Sequence, residues 1–127
     1  MVDFAPIGII RSCYREKFGI PRQPNLVKAP ATLHFLPEFS REETVRGLEK
    51  FSHLWLLFIF HHNEPVRPSG TGNTTSHWSP MVRPPRLGGN KKVGVFASRS
   101  PFRPNPIGMS AVKLRTVEKT AKGPVLH

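Results

Sequence analysis

Apolar residues fall into several short stretches separated by turn-forming residues, and this pattern predicts a mainly β protein. Side chains at every second position of a strand share one face, so short alternating or apolar runs are typical of strands. The predicted strands are Phe4–Ile10, Thr32–Leu36, Leu54–Phe60, Val93–Ala97 and Ser110–Val117, and a further strand begins at Val125. Leu54–Phe60 is apolar at every position, so we expect it to be covered on both faces. For the strand at Val125 we expect a partner that is missing or supplied by another chain.

One short helix is predicted after the second strand. Ser40 followed three residues later by Glu43 has the spacing of a capping box. Val45, Leu48 and Phe51 then recur every third residue and form one apolar stripe. Gly47 interrupts this segment and lowers its helix propensity, so we expect the helix to be short.

The remaining chain is rich in proline and glycine, with 14 prolines and 10 glycines in 127 residues. This composition predicts extended loops over Lys17–Pro30 and Ser100–Pro106, and a long one over Pro65–Asn90. A loop as long as the last is typically functional or mobile. The fold class we predict is a single mainly β domain over residues 1–127, with one short helix and long loops.

Composition excludes several classes of protein. Hydrophobic residues make up 38% of the chain, too many for a disordered tail. The longest apolar run, Leu54–Phe60, is far shorter than the roughly 20 residues of a membrane-spanning helix. The first residues lack the pattern of a secretory signal. Cys13 is the only cysteine, so no internal disulfide is possible, and we expect a reducing, cytoplasmic setting.

The charge of the chain is strongly positive and unevenly placed. There are 19 Lys and Arg against 8 Asp and Glu, a formal charge of +11, and no acidic residue lies between Glu64 and Glu118. The cations of that stretch are Arg67, Arg83, Arg86, Lys91, Lys92, Arg99, Arg103, Lys113 and Arg115. Such a surface attracts polyanions, which predicts a nucleic acid or a phosphorylated ligand. The alternative is a solvated basic face that serves solubility.

The common enzyme motifs are missing from the sequence. There is no Gly-x-Gly-x-x-Gly after a strand, no phosphate-binding P-loop and no Gly-x-Ser-x-Gly, which argues against a Rossmann site and a hydrolase elbow. His61 and His62 would point to opposite faces of a strand, so we predict no metal site. Two proline-rich segments stand out instead, Phe18–Pro24 and Gly94–Gly108. They hold arginine and amide side chains on restricted backbone, which fits either a ligand site or loops that only pack well.

The second of these segments carries a family resemblance. Gly94–Asn105 resembles the signature of the TrmO (TsaA, YaeB-like) family: Gly, an apolar residue, Phe, a small residue, any residue, Arg-Ser, two residues, then Arg-Pro-Asn. Four further blocks resemble that family in the same order, namely Pro21–Pro24, Gly47–Trp55, Phe60–His61 and Pro84–Gly88. The resemblance extends over roughly residues 5 to 117.

The resemblance implies a methyltransferase that uses S-adenosylmethionine and acts on tRNA. The family's target is N6 of threonylcarbamoyladenosine at position 37 of threonine tRNA. The implied fold is a single β-barrel-like domain that forms a homodimer, with the cofactor near the subunit interface, no metal and no membrane. Family members continue with a segment that also lines the cofactor site, so we expect this chain to be an N-terminal part.

Carried over residue by residue, the family's cofactor contacts fall on three parts of this chain. They are Arg22, Gln23 and Pro24, then Phe60 and His61, then Ser98, Arg99, Ile107 and Gly108. Arg22 or Arg99 could bind the methionine carboxylate, because a guanidinium matches a carboxylate bidentately. For the tRNA, the candidates are four cations within and directly after the long loop: Arg83, Arg86, Lys91 and Lys92.

Asn105 is the candidate catalytic residue. Its side-chain oxygen and a following backbone carbonyl could accept the N–H groups of the target amine and orient its lone pair. An equally open interpretation is that Asn105 only ties the loop to itself. A second class of function also stays open at this point, a basic RNA-binding module without catalysis.

Overall fold

A computed structural model describes residues 4–16, 19–21, 26–61 and 78–127. The described strands and helix, in chain order, are β1 Gly8–Ser12, β2 Ala31–Phe35, α1 Glu42–Val45, β3 His53–Ile59, β4 Met81–Val82, β5 Val93–Gly94, β6 Ile107–Lys113, β7 Val117–Thr120 and β8 Gly123–Leu126. Short 3-10 turns occur at Leu48–Lys50, Pro85–Leu87 and Val95–Ala97. The prediction of a mainly β fold with one short helix is therefore confirmed.

The chain forms two compact units. Unit 1 comprises Met1–Trp55 and Ser110–His127, and unit 2 comprises Leu56–Met109. The described strands form three sheets: a four-stranded sheet in the order β1-β2-β8-β7, the pair β3-β6 and the pair β4-β5. None of these sheets closes on itself within the described residues, so the barrel-like architecture is not confirmed. The single-domain assignment stays a prediction.

Strand β8 lies between two partners in the four-stranded sheet of unit 1. It pairs antiparallel with β2, where Leu33 faces Leu126, and antiparallel with β7, where Glu118 faces Val125. The expectation that this strand lacks a partner in the chain was wrong. Its residues showed a strand-like pattern, but that pattern carries no information about which distant strand completes the ladder.

The hydrophobic core of unit 1 lies against this sheet. Val45, Leu114 and Leu126 are buried at its centre. Leu33, Phe35, Leu48, Leu54 and Val117 pack around them, partly buried. Helix and sheet thus each contribute one apolar face, as a small layered fold requires.

Helix α1 is short, as predicted, but it lacks the predicted N-terminal cap. The capping box was wrong: the Ser40 hydroxyl donates a hydrogen bond to the Lys122 carbonyl, 2.8 Å away, and no side chain caps α1. At the other end Gly47 has φ +86°, a left-handed conformation that glycine adopts without steric cost. The helix therefore ends after one turn, and Leu48–Lys50 forms a separate 3-10 turn.

Several strand boundaries differ from the predicted ones. β1 starts at Gly8 rather than Phe4, beyond Pro6, which has no N–H to give to a ladder. β6 starts at Ile107 and ends at Lys113, so Leu114 is buried outside the strand. The segment Val93–Ala97 divides into β5 and a 3-10 turn.

Strand β3 is exposed on one face, which corrects the prediction that it is covered on both. Its residues alternate between half-buried and exposed positions, and Trp55 and Leu57 keep 71% and 70% of their surface exposed. An apolar run shows that both faces could be buried. Whether both are depends on neighbours that the run itself does not specify.

Candidate functional site

Unit 2 contains every predicted site residue that the structure describes. These are Phe60, His61, Ser98, Arg99, Asn105, Ile107 and Gly108 from the cofactor and catalytic predictions, and Arg83, Arg86, Lys91 and Lys92 from the tRNA prediction. Arg22, Gln23 and Pro24 lie outside the described residues, so their predicted cofactor contacts stay predictions.

Phe60 and Gly108 are brought together at the end of β3. The Phe60 N–H donates to the Pro106 carbonyl at 2.9 Å, which fixes Phe60 beside the start of β6. Its ring packs edge-to-face on Phe58, with centroids 5.2 Å apart and planes at 70°. Gly108 is buried beneath these rings, and a Cβ there would overlap the Phe58 ring and lie 3.0 Å from Phe60 Cε2. A residue without a side chain thus lets both rings close on β6.

The turn that precedes Arg99 is held by buried backbone and by one hydroxyl. Val95 is only 2% exposed, and its N–H donates to the Pro80 carbonyl at 2.9 Å. The Ser98 hydroxyl donates to the Val95 carbonyl at 2.8 Å and accepts the Ser100 N–H at 3.2 Å. Its single proton is therefore used within the turn, and Ser98 retains only a lone pair for a ligand. Arg99 is exposed.

Arg103 bonds to both ends of the segment from Ser100 to Ile107. The sequence analysis gave this residue no role in the predicted site. Its Nε donates to the Ser100 carbonyl at 3.0 Å and its Nη2 to the Ile107 carbonyl at 3.1 Å. Pro101, Pro104 and Pro106 have no N–H, so few backbone donors are available for carbonyls in this segment. One guanidinium supplies those donors. The Arg-Pro-Asn of the signature was the signal that could have identified this residue.

Asn105 lies inside the loop that Arg103 closes. It is exposed, and its side chain makes no hydrogen bond to the residues that the structure describes. Its backbone carbonyl accepts the Ile107 N–H at 2.8 Å. The described hydrogen bonds that tie this loop therefore come from Arg103, from the Ser98 and Ser100 hydroxyls and from backbone groups. The carbonyl of Pro106 already accepts the Phe60 N–H, which leaves the Asn105 side chain as the less engaged acceptor.

The four tRNA candidates lie on one hairpin connection. β4 and β5 pair antiparallel, with Met81 opposite Gly94, and residues 83–92 join them. The part of the predicted long loop after residue 77 is thus a short hairpin that contains a 3-10 turn. Arg83, Arg86, Lys91 and Lys92 are all exposed on it. None of them pairs with an acid among the described residues, where the two ion pairs, Lys119–Glu42 and His127–Glu118, belong to unit 1.

The described residues contain neither a candidate metal cluster nor a candidate membrane-spanning helix. Within residues 4–16, 19–21, 26–61 and 78–127, no cluster of three or more His, Cys, Asp or Glu side chains could hold a metal ion. Over the same ranges, no helix has the length and apolarity needed to cross a membrane.

The fold is mainly β, and the candidate site lies on loops that are rich in proline and poor in acidic residues. The sequence pattern of the tRNA-methyltransferase O N-terminal domain matches residues 9–127, and the chain belongs to that family. The family prediction is thereby confirmed.

Individual relatives agree with this assignment. The chain is 55% identical over 116 residues to the tRNA (adenine(37)-N6)-methyltransferase of Escherichia coli, covering 91% of this chain and 45% of that enzyme. It is 49% identical over 117 residues to a putative S-adenosylmethionine-dependent methyltransferase, RcsF, of Pseudomonas aeruginosa, covering 91% and 45%. A crystal structure of TrmO superposes with a TM-score of 0.67 at 40% identity, covering 99% of this chain and 49% of that one. The chain thus spans about half the length of these relatives, and the name of RcsF agrees with the predicted cofactor.

Proposed function

We propose that this chain is the part of a tRNA methyltransferase that binds S-adenosylmethionine and presents the tRNA to it. The reaction is transfer of a methyl group to N6 of threonylcarbamoyladenosine at position 37 of threonine tRNA. The observation that carries the proposal is the loop from Ser98 to Gly108. Arg103 fixes this loop, and the Phe60 N–H bonds to the Pro106 carbonyl near its end. Asn105 stays exposed on the loop.

The residues at this loop fit the cofactor by their chemistry. The half-buried ring of Phe60 offers an apolar surface for adenine, and the exposed guanidinium of Arg99 offers a bidentate partner for the methionine carboxylate. Arg22, Gln23, Pro24 and His61 complete the proposed set with Ser98, Ile107 and Gly108. When bound, S-adenosylmethionine supplies a methyl group already activated by its sulfonium, so positioning accounts for much of the catalysis.

Asn105 is proposed to position the acceptor nitrogen. The N6 of the modified adenosine carries one N–H, and its lone pair is delocalised into the ring and the carbamoyl group. An acceptor oxygen that holds this N–H would turn the lone pair toward the methyl group, which would pass to N6 as the sulfonium S–C bond breaks and S-adenosylhomocysteine is left. The Asn105 side chain is exposed and unengaged among the described residues, so its oxygen is available for this contact. The N6 proton then leaves to solvent.

The tRNA is proposed to bind along the hairpin connection 83–92. Unit 2 contains seven Lys and Arg and one acid, Glu64, which favours a polyanion over a neutral ligand. A homodimer, closure into a barrel-like fold and a cytoplasmic location complete the proposal. The exposed Trp55 and Leu57 of β3 are consistent with a covering subunit.

A methyl-transfer assay tests the proposed reaction. Threonine tRNA with and without the threonylcarbamoyl group is incubated with the protein and labelled S-adenosylmethionine, and the nucleosides are identified by mass spectrometry. We expect methylation of N6 only in the modified tRNA. If the protein binds tRNA yet transfers no methyl group to either form, the non-catalytic RNA-binding module is the correct class.

Cofactor binding is tested separately by calorimetry and thermal unfolding. S-adenosylmethionine at 100 times its dissociation constant should stabilise the protein by about 2.7 kcal/mol. Arg99→Ala and Arg22→Ala should each weaken binding about ten- to a hundredfold, because a hydrogen bond to a charged group contributes roughly 1.5–3 kcal/mol. Arg46→Ala in unit 1 removes the same charge and serves as the control. Unchanged affinity in both site variants would overturn the assignment of the carboxylate partners.

A further inference from the structure

Phe96 is the most exposed large apolar side chain that the structure describes. It keeps 80% of its surface exposed, although its neighbour Val95 is only 2% exposed. The two residues share the 3-10 turn Val95–Ala97, so one side chain anchors the turn while the next projects from it. The turn is fixed further by the hydrogen bonds of Val95 to Pro80 and of Ser98 to Val95. The Phe96 ring is therefore held on constrained backbone and is not buried in a core.

The surroundings of Phe96 along the chain are cationic. Lys91 and Lys92 precede it, Arg99 follows it, and all three are exposed. Arg99 is three residues away, so its Cα lies within about 11 Å of that of Phe96 even on extended backbone. No acid interrupts this segment, and unit 2 holds only Glu64. An exposed aromatic ring flanked in sequence by exposed cations, none of which pairs with an acid among the described residues, matches the chemistry of an unpaired nucleotide, whose base stacks and whose phosphates are anionic.

We propose that Phe96 is a stacking platform for an unpaired nucleobase of the RNA substrate, with Lys92 and Arg99 contacting the flanking phosphates. This inference rests on the proposed function, because it takes the RNA to be the tRNA loop that presents the target adenosine. Charge complementarity decides between the possible occupants. The exposed cations Lys91, Lys92 and Arg99, with no acid in the same segment, favour a polyanion such as single-stranded RNA, whose phosphates neutralise them. Stacking explains what exposed cations alone do not, namely the presence of a rigid apolar ring among them.

The test uses RNA affinity and separates ring shape from size. An anticodon stem-loop RNA is titrated against the wild-type chain, Phe96→Leu and Phe96→Trp at several salt concentrations. Base–aromatic stacking corresponds to about a five- to hundredfold change in affinity. We expect Phe96→Leu to lose affinity by that factor with an unchanged salt slope, and Phe96→Trp to retain it. Phe51→Leu, at an aromatic residue of unit 1 that is 62% exposed, is the matched control and should bind as the wild type does.

Each other outcome overturns the proposal in a recognisable way. If the wild-type chain binds the stem-loop and Phe96→Leu binds equally well, the stacking role is wrong and the proposed function stands. If the wild-type chain binds no RNA, both fail together. If Phe96→Leu changes the molecular mass in solution by light scattering, the ring contacts another copy of the chain. If Phe96→Leu weakens S-adenosylmethionine binding by the same factor as RNA binding, the ring belongs to the cofactor site.

Discussion

Unit 1 and unit 2 fix their backbones by different means. Unit 1 has a four-stranded sheet over a buried cluster of Val45, Leu114 and Leu126, and it contains both described ion pairs. Its twelve Lys and Arg are set against seven Asp and Glu. In unit 2, Val95, at 2% exposure, is the buried hydrophobic side chain among the described residues, and the cations outnumber the acids seven to one.

The difference shows that prolines and a single arginine can fix the backbone in place of a buried core. A buried core fixes backbone by packing, but it places side chains inside, where they cannot meet a large substrate. In unit 2 the prolines restrict φ, and Arg103 bonds two carbonyls, so side chains such as Asn105 and Arg99 stay outside. Function is therefore expected to be most sensitive to the bonds of unit 2, and global stability to the core of unit 1.

The largest effect should come from Arg103→Ala, which removes both bonds that close the loop around Asn105. Hydrogen bonds from a charged donor contribute about 1.5–3 kcal/mol, so methyl transfer should fall by about a hundredfold. Arg103→Lys retains the charge but cannot reach two carbonyls from one planar fork, so it should rescue little. Single-turnover rates and thermal unfolding are measured together. Full activity in Arg103→Ala would show that the two bonds are not needed to hold the loop.

Asn105→Ala should have the next largest effect and should leave the fold intact. A positioning contact of about 2–3 kcal/mol corresponds to roughly thirty- to a hundredfold in the single-turnover rate, with little change in tRNA or cofactor affinity. The melting temperature should stay the same, because the described residues offer this side chain no hydrogen-bond partner. A lower melting temperature without a specific loss of rate would support the loop-tying interpretation.

A smaller effect is expected from the double variant Arg83→Gln, Arg86→Gln on the hairpin of unit 2. Each lost phosphate contact reduces the salt slope of RNA binding by roughly 0.7 to 0.9, so the double variant should flatten it by less than about two units. Arg41→Gln, Arg46→Gln in unit 1 makes the same change of charge on exposed residues. If both double variants flatten the slope equally, the chain binds RNA through its net charge and not through this hairpin.

The smallest effect should come from Lys119→Ala in unit 1. Lys119 Nζ lies 3.2 Å from Glu42 Oε2, but the two side chains are 74% and 62% exposed. Exposed pairs of this kind contribute about 0–1 kcal/mol, so the free energy of unfolding should hardly change. Denaturant unfolding measures it. A loss above about 2 kcal/mol would mean that unit 1 depends on surface charge as well as on its core.

Sequence patterns predicted those parts of the fold that depend on local chemistry. The apolar pattern placed β2 within one residue of its observed bounds, and the three prolines between Ser100 and Pro106 identified a segment without regular structure. The partners of β8 and the open face of β3 depend on contacts between distant residues, so local patterns could not supply them. The capping box failed for the same reason, since Ser40 bonds to Lys122, 82 residues away.

The candidate site shows the same division. The family signature identified the loop and the residues Ser98, Arg99 and Asn105 within it. It did not indicate that the Ser98 hydroxyl is engaged with Val95 or that Arg103 closes the loop, because hydrogen-bond partners depend on how the backbone folds. The signature includes Phe96, but the sequence analysis gave it no role of its own, because a phenylalanine in an apolar segment is more often part of a core.

The central place of β8 has a consequence for how the chain folds during synthesis. The β1–β2 hairpin leaves the ribosome early, but the strand that pairs with β2 lies about ninety residues later, at Val125 and Leu126. At roughly 5–20 residues per second, β2 keeps an unpaired edge for several seconds. All of unit 2 is synthesised within that interval. The sheet of unit 1 is therefore completed only after unit 2 has been synthesised, and its open edge is where nascent chains would first associate wrongly.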